Sequence, residues 1–295
     1  MPTRPPEWAS FRSLLREAQY ALAEGPHSDR AALDAEFLLL HVMRKGNPDC
    51  NRAWLIAHGE EALPAGIESE LQELVERRLV GEPMQYITGE TEFYGLPFTV
   101  TRDVLVPRRE TEHLVERVFA LATRYARPRI VDVGTGSGAI AVTLAHHLRD
   151  AEVTSTDLSA AALAVARENA HRNGVAEHIR FLEGDLFAPL GEERFEIVVS
   201  NPPYVPNTDR ALIAVEVREY EPPLALFAGE DGLDVYQRLI PAAFDALVSG
   251  GFLALEIGFS QAEDVRVLLS GAGFCGVEFI PDLQGIPRVA SAQRP

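Results

Sequence analysis

From residue 129 onward, the sequence alternates short apolar runs with longer segments that carry apolar residues at helical spacing. Such alternation is typical of an open α/β sheet whose parallel strands are joined by right-handed crossover helices. We therefore predict a mostly parallel α/β sheet for this part of the chain. The predicted strands are Arg129–Val133, Glu152–Thr156, Ile179–Leu182, Glu196–Ser200, Phe252–Ile257, Gly276–Ile280 and Arg288–Ala292, and the predicted helices are Ala139–Leu148, Ser159–Asn173, Leu233–Leu247 and Gln261–Ser270.

The first eighty residues carry a different pattern, with apolar residues spaced as on the faces of short helices. This predicts a small helical bundle, with Ser28 as the N-cap of its second helix. Residues 81–108 then show short β-like runs broken by turns, including Gln85–Ile87 and Val104–Val106, which predict a β-hairpin linker. The expected domains are a structural or partner-docking helical unit (1–80), the linker (81–108) and the α/β domain (109–295). The apolar positions of the bundle are Trp8, Phe11, Leu14, Leu15, Ala18, Leu22, Leu33, Phe37, Leu38 and Leu40.

In an open α/β sheet, ligands bind at the carboxyl ends of the strands, and three predicted strands lead into residues suited to a nucleotide-like ligand. The first strand runs into Gly134–Gly138, where glycines let a ligand approach the backbone closely. The spacing also fits a dinucleotide site, with Ala139 in place of the third glycine. Asp157 ends the second strand, where a carboxylate can accept hydrogen bonds from a ribose diol or instead cap the next helix. Asp185 and Leu186 follow the third strand and would flank an adenine ring, although Asp185 alone is more typical of a turn.

The fourth strand ends at Ser200 and is followed by Asn201, Pro202, Pro203 and Tyr204. Proline fixes φ and lacks an N–H group, so this turn offers a side-chain amide, carbonyls that only accept hydrogen bonds, and an aromatic face. A planar NH2 group becomes nucleophilic when two acceptors hold its hydrogens, and the Asn201 side-chain oxygen and the Pro202 carbonyl suit that task. They would stabilise positive charge that develops on nitrogen as it attacks an electrophilic methyl group. The alternative is an ordinary proline-rich loop with a tyrosine cap.

Charge and composition narrow the classes of partner. The net charge is -17, and a potential of this sign repels nucleic-acid phosphates, so we expect a basic protein partner and no direct nucleic-acid binding. Cys50 and Cys275 lie far apart and no histidine pair has metal-ligand spacing, so neither a disulfide nor a metal site is expected. Without a signal-peptide segment or an apolar run of the ~20 residues that span a membrane, we expect a cytoplasmic monomer.

Several motifs together resemble a known group of enzymes. The Asp-x-Gly-Thr-Gly-Ser-Gly turn from Asp132, the acid Asp157 and the Asn-Pro-Pro-Tyr turn from Asn201 resemble class I S-adenosylmethionine-dependent methyltransferases that act on planar amino or amide nitrogens. Over residues 80 to 292, further motifs resemble the bacterial release-factor glutamine methyltransferases, the PrmC/HemK family. These motifs are Pro107-Arg108-x-Glu110-Thr111-Glu112, Glu221-Pro222 with Ala225-Leu226, Asp231-Gly232-Leu233 with Tyr236, and Asp282-Leu283-x-Gly285-x-x-Arg288-Val289.

The resemblance implies a Rossmann-like class I methyltransferase sheet, with a small N-terminal helical domain joined to it by a β-hairpin linker. It implies S-adenosylmethionine as cofactor and, as substrate, the glutamine of the Gly-Gly-Gln motif in class I peptide chain release factors. An aromatic residue often follows the Gly-Asp pair in relatives, and Leu186 lacks its ring stacking. Glu221, Asp231 and Arg288 are matched by motif alone, and loop anchors or helix caps are equally good roles for them. The resemblance places Gly134, Thr135, Gly136, Ser137 and Gly138 on the methionine part of the cofactor, Asp157 on its ribose, Asp185 and Leu186 on its adenine, and Asn201, Pro202, Pro203 and Tyr204 on the substrate, with Asn201 also touching the cofactor.

Three alternatives remain open at the level of sequence. A sister enzyme methylates a glutamine of a large-subunit ribosomal protein, but its loop usually carries Pro-Arg-Ser-Pro where this chain has Pro107-Arg108-Arg109-Glu110. Amino-group methyltransferases of nucleic acids apply the same Asn-Pro-Pro-Tyr logic to a flipped base, which the acidic charge disfavours. A binding module without activity would have no reason to keep both the cofactor and the acceptor residues.

Overall fold

The computed structural model describes residues 10–295, so the core position expected of Trp8 lies outside the described residues. Contacts divide the chain into two compact units. The first unit runs to Gly89 and includes the separate segment Val215–Tyr220, and the second comprises Glu90–Ala214 and Glu221–Pro295. Within residues 10–295, no helix has the length and apolar character that crossing a membrane requires.

The first unit is a set of short helices around one apolar core, as predicted. Ser10 caps the first helix, its side chain accepting from the Ser13 amide at 3.3 Å. The core is formed mainly by Leu14, Leu38 and Leu71 and their neighbours on the same helix faces. The helices are α1 (Phe11–Ala23), α2 (Ala31–Arg44), α3 (Arg52–Ala57), α4 (Ile67–Leu79) and α5 (Met84–Thr88), with a 3-10 turn at Ser28–Arg30.

Two predictions about α2 are wrong. Ser28 does not cap it, because Ser28 lies in the 3-10 turn and Arg30 precedes the first α-helical residue. Leu33 and Phe37 are not core residues, since they are 61% and 49% exposed. The apolar residues of α2 extend around more of the helix than the buried face requires, and that face passes instead through Ala31, Asp34, Ala35, Leu38, Leu39 and Val42.

A buried cation joins distant parts of the first unit. Arg78 of α4 is 2% exposed, and its Nε donates to Asp34 Oδ2 at 2.7 Å. Its Nη1 donates to Glu216 Oε2 at 3.0 Å and to the Glu82 carbonyl at 2.9 Å. The guanidinium group is therefore compensated by two carboxylates, one of which lies in the helix Val215–Tyr220.

The second unit consists of a β-hairpin and a seven-stranded sheet in the order β5-β4-β3-β6-β7-β9-β8. The first five strands in this order are parallel, and β9 runs antiparallel to β7 and to β8. The strands are β1 (Glu90–Phe93), β2 (Leu96–Thr99), β3 (Arg129–Val133), β4 (Glu152–Asp157), β5 (Ile179–Glu183), β6 (Phe195–Ser200), β7 (Leu247–Glu256), β8 (Cys275–Pro281) and β9 (Pro287–Gln293). The helices are α6 (Thr111–Ala122), α7 (Ala139–His147), α8 (Ala160–Arg172), α10 (Asp234–Ala246) and α11 (Ala262–Gly271), while α9 is the helix Val215–Tyr220 of the first unit.

Helices cover both faces of the sheet, which confirms the predicted α/β architecture. Successive residues of a strand point to opposite faces. In β3, Ile130 joins the core beneath α6 and α7, whereas Val131 and Val133 join the core beneath α10 and α11. Because both faces are buried, the central strands are rich in β-branched residues, such as Ile130, Val131 and Val133 in β3 and Ile197–Val199 in β6.

The hairpin β1–β2 turns through Tyr94 and Gly95, both with positive φ (52° and 74°), as a two-residue hairpin turn requires. Glu112 of α6 fixes this turn, its Oε1 accepting from the Tyr94 amide at 3.0 Å. Two neighbouring predictions are wrong: Gln85–Ile87 lies in α5, and Val104–Val106 forms no strand. The five-residue α5 is too short for its periodicity to distinguish a helix from a strand.

The strand order reverses beside β3. The chain moves outward from β3 through β4 to β5, then returns to β6 on the other side of β3. Crossovers that leave in opposite directions open a crevice at the carboxyl ends of the two central strands. Ser200 Oγ donates to the Val133 carbonyl at 2.6 Å and joins those two ends. The predicted ligand residues after β3, β4 and β6 therefore lie at one edge of the sheet.

Candidate active site

The glycine loop after β3 presents open backbone at the strand ends. Gly134 and Gly136 have φ of 75° and 55°. The amides of Gly134 and Thr135 donate to the Thr156 carbonyl at 2.9 and 3.0 Å, which holds the loop against β4. A Cβ added at Gly134 or Gly136 would meet no protein atom within 4 Å. The loop thus has room for a ligand to approach the backbone, as the methionine part of S-adenosylmethionine would.

Gly138 has a different function from the other two glycines. A Cβ there would lie 3.1 Å from the Ala166 Cβ, so Gly138 allows α7 to begin close to α8. The carbonyl of Ser137 accepts from Asn169 Nδ2 at 2.9 Å, and Asn169 also exchanges two hydrogen bonds with the Thr99 backbone. Sequence reasoning missed Asn169, a fully buried amide that joins the glycine loop to the hairpin.

The Asp157 carboxylate joins the glycine loop to the N-cap residue of α8. Its Oδ2 accepts from the Gly136 amide at 2.8 Å, and its Oδ1 accepts from the Ser159 amide at 2.9 Å. A carboxylate has about four acceptor positions, so these two bonds leave others for a ribose diol. The helix cap itself is Ser159, whose side chain accepts from the Ala162 amide at 3.1 Å.

Asp132 lies beneath the loop and is fully buried. Burial raises the pKa of the Asp132 carboxyl to about 7, and the nearby Asp157 adds to this, while the Thr135 hydrogen bond lowers it. Thr135 Oγ1 donates to Asp132 Oδ2 at 2.6 Å. The Thr135 side chain therefore stabilises the loop from below.

The two residues expected at the adenine lie in different surroundings. Asp185 is exposed and its carboxylate pairs with Arg238 of α10. Leu186 has φ of 49° and packs against the core beneath α10 and α11. A left-handed backbone costs a non-glycine residue on the order of 1 kcal/mol, so the surrounding structure must hold Leu186 in this conformation.

The Asn-Pro-Pro-Tyr turn is fixed through its backbone. Gln261 Nε2 donates to the Tyr204 carbonyl at 3.0 Å, and the Val205 amide donates to the Leu226 carbonyl at 2.9 Å. A Cβ on Gly232 would lie 2.4 Å from the Tyr204 carbonyl oxygen, so only glycine permits this approach. Two of the motifs found in the sequence, around Leu226 and Gly232, thus support the turn after β6.

The Asn201 side chain belongs to a short chain of hydrogen bonds. Its Nδ2 donates to Thr111 Oγ1 at 3.1 Å, and Thr111 Oγ1 donates to Glu256 Oε2 at 2.6 Å. The Tyr204 hydroxyl donates to the other oxygen, Glu256 Oε1, at 3.3 Å. Within residues 10–295, neither Asn201 Oδ1 nor the Pro202 carbonyl has a hydrogen-bond partner. Both oxygens therefore keep their acceptor capacity, and their role toward a substrate NH2 group stays a prediction.

Glu256, at the end of β7, is a second residue of the site that sequence reasoning did not single out. It is 2% exposed, and burial raises the pKa of its carboxyl to about 7, although the Thr111 and Tyr204 hydroxyls act in the opposite direction. Burial likewise raises the pKa of Tyr204. The sequence does contain a signal for Glu256, because this acid stands within the apolar strand Phe252–Ile257. Charged residues are rarely fully buried without a partner, so an acid at such a position indicates a specific role.

The remaining motif residues anchor loops. Glu221 is 3% exposed and accepts from Arg108 Nη2 at 2.6 Å. Asp231 Oδ1 accepts from the Leu233 amide at 3.0 Å. Arg288 Nε donates to Asp282 Oδ2 at 3.0 Å.

A second cleft lies at the amino ends of the strands, at the edge of the sheet opposite to the residues described above. Three of the arginines that line it have acidic partners: Arg127 pairs with Glu152 at 3.0 Å, Arg129 with Glu196 at 2.8 Å and Arg180 with Glu193 at 2.5 Å. Because most of its positive charge is compensated and ligands of open α/β sheets bind at the carboxyl ends, the candidate site is the first crevice.

Two family models match parts of this chain. The family model "Methyltransferase small domain" matches residues 111–217, and "PrmC N-terminal domain" matches residues 13–89. A release factor glutamine methyltransferase of Geobacter sulfurreducens is 40% identical over 291 residues, which cover 99% of each chain. That of Koribacter versatilis is 39% identical over 287 residues, covering 97% of this chain and 98% of the relative.

Among solved structures, the hMettl16 catalytic domain in complex with MAT2A 3'UTR hairpin 6 aligns with a TM-score of 0.56 over 86% of this chain and 92% of that chain. At 15% identity this likeness supports the methyltransferase fold alone. Together with the domain match, it confirms the predicted fold class. The methyltransferase domain and the relatives confirm S-adenosylmethionine as the cofactor. Since the relatives match over nearly their whole length, the chain belongs to the release factor glutamine methyltransferase family.

Proposed function

We propose that this chain methylates the side-chain amide nitrogen of the glutamine in the Gly-Gly-Gln motif of class I peptide chain release factors. The names of the relatives support this substrate. The observation that carries the chemistry is the Asn201 side chain, whose Nδ2 is engaged by Thr111 while its Oδ1 remains available beside the Pro202 carbonyl. Two adjacent acceptors suit the two hydrogens of one amide group.

The proposed mechanism uses these acceptors to activate a poor nucleophile. Bound S-adenosylmethionine supplies a methyl group on a positively charged sulfur. Asn201 Oδ1 and the Pro202 carbonyl accept the two amide hydrogens of the glutamine and stabilise the positive charge that develops on its nitrogen. The nitrogen held in this way would form the N–CH3 bond as the S–CH3 bond of the bound cofactor breaks, with the bonding pair kept by sulfur, and the acidic N-protonated amide would lose its extra proton to solvent. The ring of Tyr204 lies against the planar amide and limits its orientation.

The cofactor contacts in this proposal follow the strand ends. The backbone of Gly134–Gly138 holds the methionine part, and the free acceptor positions of Asp157 hold the ribose hydroxyls. Asp185 and Leu186 flank the adenine. Because Arg238 forms an ion pair with Asp185, fewer acceptor positions of that carboxylate remain for the adenine amino group.

We also propose that the first unit docks the folded release factor and takes no part in the chemistry, because every proposed cofactor and acceptor residue lies in the second unit. A shortened chain that begins at Glu90 should bind S-adenosylmethionine and methylate a Gly-Gly-Gln peptide, yet lose its preference for the folded release factor. A shortened chain that keeps the preference would contradict this role. The substrate class also implies a cytoplasmic enzyme; we propose that it acts as a monomer and does not bind nucleic acid itself.

Transfer of a labelled methyl group tests the substrate. The wild-type protein is incubated with labelled S-adenosylmethionine and a purified release factor, with its Gln→Glu motif variant, and with ribosomal proteins and RNA as competing substrates. Label on the release factor that disappears in the Gln→Glu variant supports the proposal. Label on a ribosomal protein or on RNA would contradict it and identify one of the alternative methyltransferase activities.

A further inference from the structure

We propose that Thr111 and Glu256 are positioning residues that determine which edge of the Asn201 amide faces the substrate. The inference rests on the proposed function, because it concerns the acceptor that this function assigns to Asn201. It gives a role to the Thr111 position of the Pro107–Glu112 motif and to the buried acid of β7, neither of which touches the reacting atoms in the proposed mechanism.

The direction of the hydrogen bonds carries the argument. An ionised carboxylate only accepts, so each oxygen of Glu256 takes a hydroxyl proton, one from Thr111 and one from Tyr204. The Thr111 hydroxyl has a single hydrogen, and once this points to Glu256 the oxygen can only accept from Asn201. The Asn201 edge next to Thr111 must then be Nδ2, which turns Oδ1 toward the substrate.

Protonation of Glu256 would remove this constraint. A protonated carboxyl can donate to Thr111 Oγ1, which frees the Thr111 hydrogen to point at Asn201. The Asn201 amide could then turn over and present Nδ2 to the substrate, where a donor repels an NH2 group. The balance between the two orientations should therefore follow the ionisation of Glu256.

The surroundings of Glu256 set that ionisation. The negative charge of Glu110, at the start of α6, opposes the ionisation of Glu256, whereas the positive charge of Arg288 in β9 favours this ionisation. Burial has the largest effect and raises the pKa of Glu256 to about 7, so the change in its ionisation falls within the physiological pH range. The other titratable groups that face the cluster are Tyr204, Tyr236, whose hydroxyl donates to the Glu256 carbonyl at 2.9 Å, and Arg108, which acts on Tyr204.

The first test removes or keeps the hydroxyl at position 111. Thr111→Val preserves the shape and loses the hydrogen bonds, whereas Thr111→Ser keeps them. At saturating cofactor and release factor, Thr111→Val should lower kcat by roughly 10- to 100-fold, because the acceptor loses its fixed orientation. KM and the calorimetric affinity for S-adenosylmethionine should stay within a few-fold, and Thr111→Ser should restore most of kcat.

Thr143→Val is the matched control, since Thr143 is a fully buried threonine of α7 whose hydroxyl donates to the Ala139 carbonyl at 2.7 Å. It should leave kcat near wild type even if stability falls. A Thr111→Val variant with wild-type kcat would overturn the inference, and so would a Thr111→Ser variant as impaired as Thr111→Val.

The second test uses pH and does not depend on the folding of the Thr111 variants. Wild-type kcat, measured at saturating cofactor so that cofactor affinity does not contribute, should fall as pH decreases through about 7. Glu256→Gln should have a lower kcat and lose this acidic decline, because glutamine does not titrate and its amide can bond to Thr111 in either orientation. A Glu256→Gln variant that retains the wild-type acidic decline would overturn the inference. Wild-type methylation of the release factor in the same assays keeps failure of this inference distinct from failure of the proposed function.

Discussion

The carboxylate of Asp157 joins the glycine loop to the start of α8, through the amides of Gly136 and Ser159. Asp157→Ala should weaken S-adenosylmethionine binding by about 1–3 kcal/mol, since charged hydrogen bonds to the loop and to the proposed ribose site are lost together. Isothermal calorimetry measures this directly and should find one site per chain, with no binding of NAD. An Asp157→Ala variant of unchanged affinity would remove Asp157 from the site.

Asp132 should make stability depend on pH. Its folded-state pKa of about 7 lies above its ordinary value of 3.8, so its contribution is fully present below about pH 4 and is lost as pH rises through 7. The free energy of unfolding should therefore decrease across this range by up to about 1.4 kcal/mol per pH unit. Denaturant unfolding of Asp132→Asn at pH 5 and pH 8 should show a smaller decrease than wild type, the remainder coming from Glu256.

The exposed Asp150→Asn is the control for this experiment and should keep the wild-type pH dependence. Equal pH dependence in Asp132→Asn and in wild type would show that Asp132 is ionised in the folded protein at pH 5. That outcome would contradict the effect assigned to burial.

Single residues at the strand ends could be predicted because topology gathers them. Gly134, Asp157 and Asn201 each follow an apolar run, and parallel strands place such positions at one edge of the sheet. Thr111 and Glu256 could not be predicted in the same way. They are 145 residues apart, and their hydrogen bond exists only because α6 begins beside the end of β7.

At the scale of elements, the sequence predicts the sheet well. Strand β3 matches its predicted span, because both of its faces are buried and three of its five residues are β-branched: Ile130, Val131 and Val133. Strand β7 begins at Leu247, before the predicted Phe252, since Leu247 pairs with Phe195 across an irregularity in register. Helix α9 was missed: its six residues are stabilised by contacts such as that of Glu216 with Arg78, which local propensity does not reveal.

The buried ion cluster of the first unit predicts a large effect of one substitution. Arg78→Ala leaves the buried Asp34 with only the exposed Arg30, 3.7 Å away, and should lower the stability of that unit by about 3–5 kcal/mol. Denaturant unfolding and circular dichroism measure the loss. Arg52→Ala, which removes an exposed partner of Glu36 in the same unit, should have little effect. Similar losses in both variants would contradict the importance assigned to burial.

At the scale of the whole molecule, the net charge of -17 should accelerate encounter with a basic substrate. A release factor works on RNA and is expected to be basic near its Gly-Gly-Gln loop. Because the Debye length decreases from about 30 Å at 0.01 M salt to about 8 Å at physiological ionic strength, kcat/KM should fall over that range. A neutral Gly-Gly-Gln peptide should show much less dependence on salt, and equal dependence for both substrates would contradict electrostatic attraction.

The account as a whole depends on methyl transfer to a glutamine amide held by Asn201. Mass spectrometry of a release factor treated with the wild-type protein and S-adenosylmethionine should locate one added methyl group on the Gly-Gly-Gln glutamine. Asn201→Ala should bind the cofactor within a few-fold of wild type yet form this product roughly 10²- to 10³-fold more slowly, because one preorganised acceptor is lost. Asn207→Ala, at an exposed asparagine beyond the turn, is the control and should retain activity. A methyl group on any other residue, or near-wild-type turnover by Asn201→Ala at saturating substrate, would contradict the account.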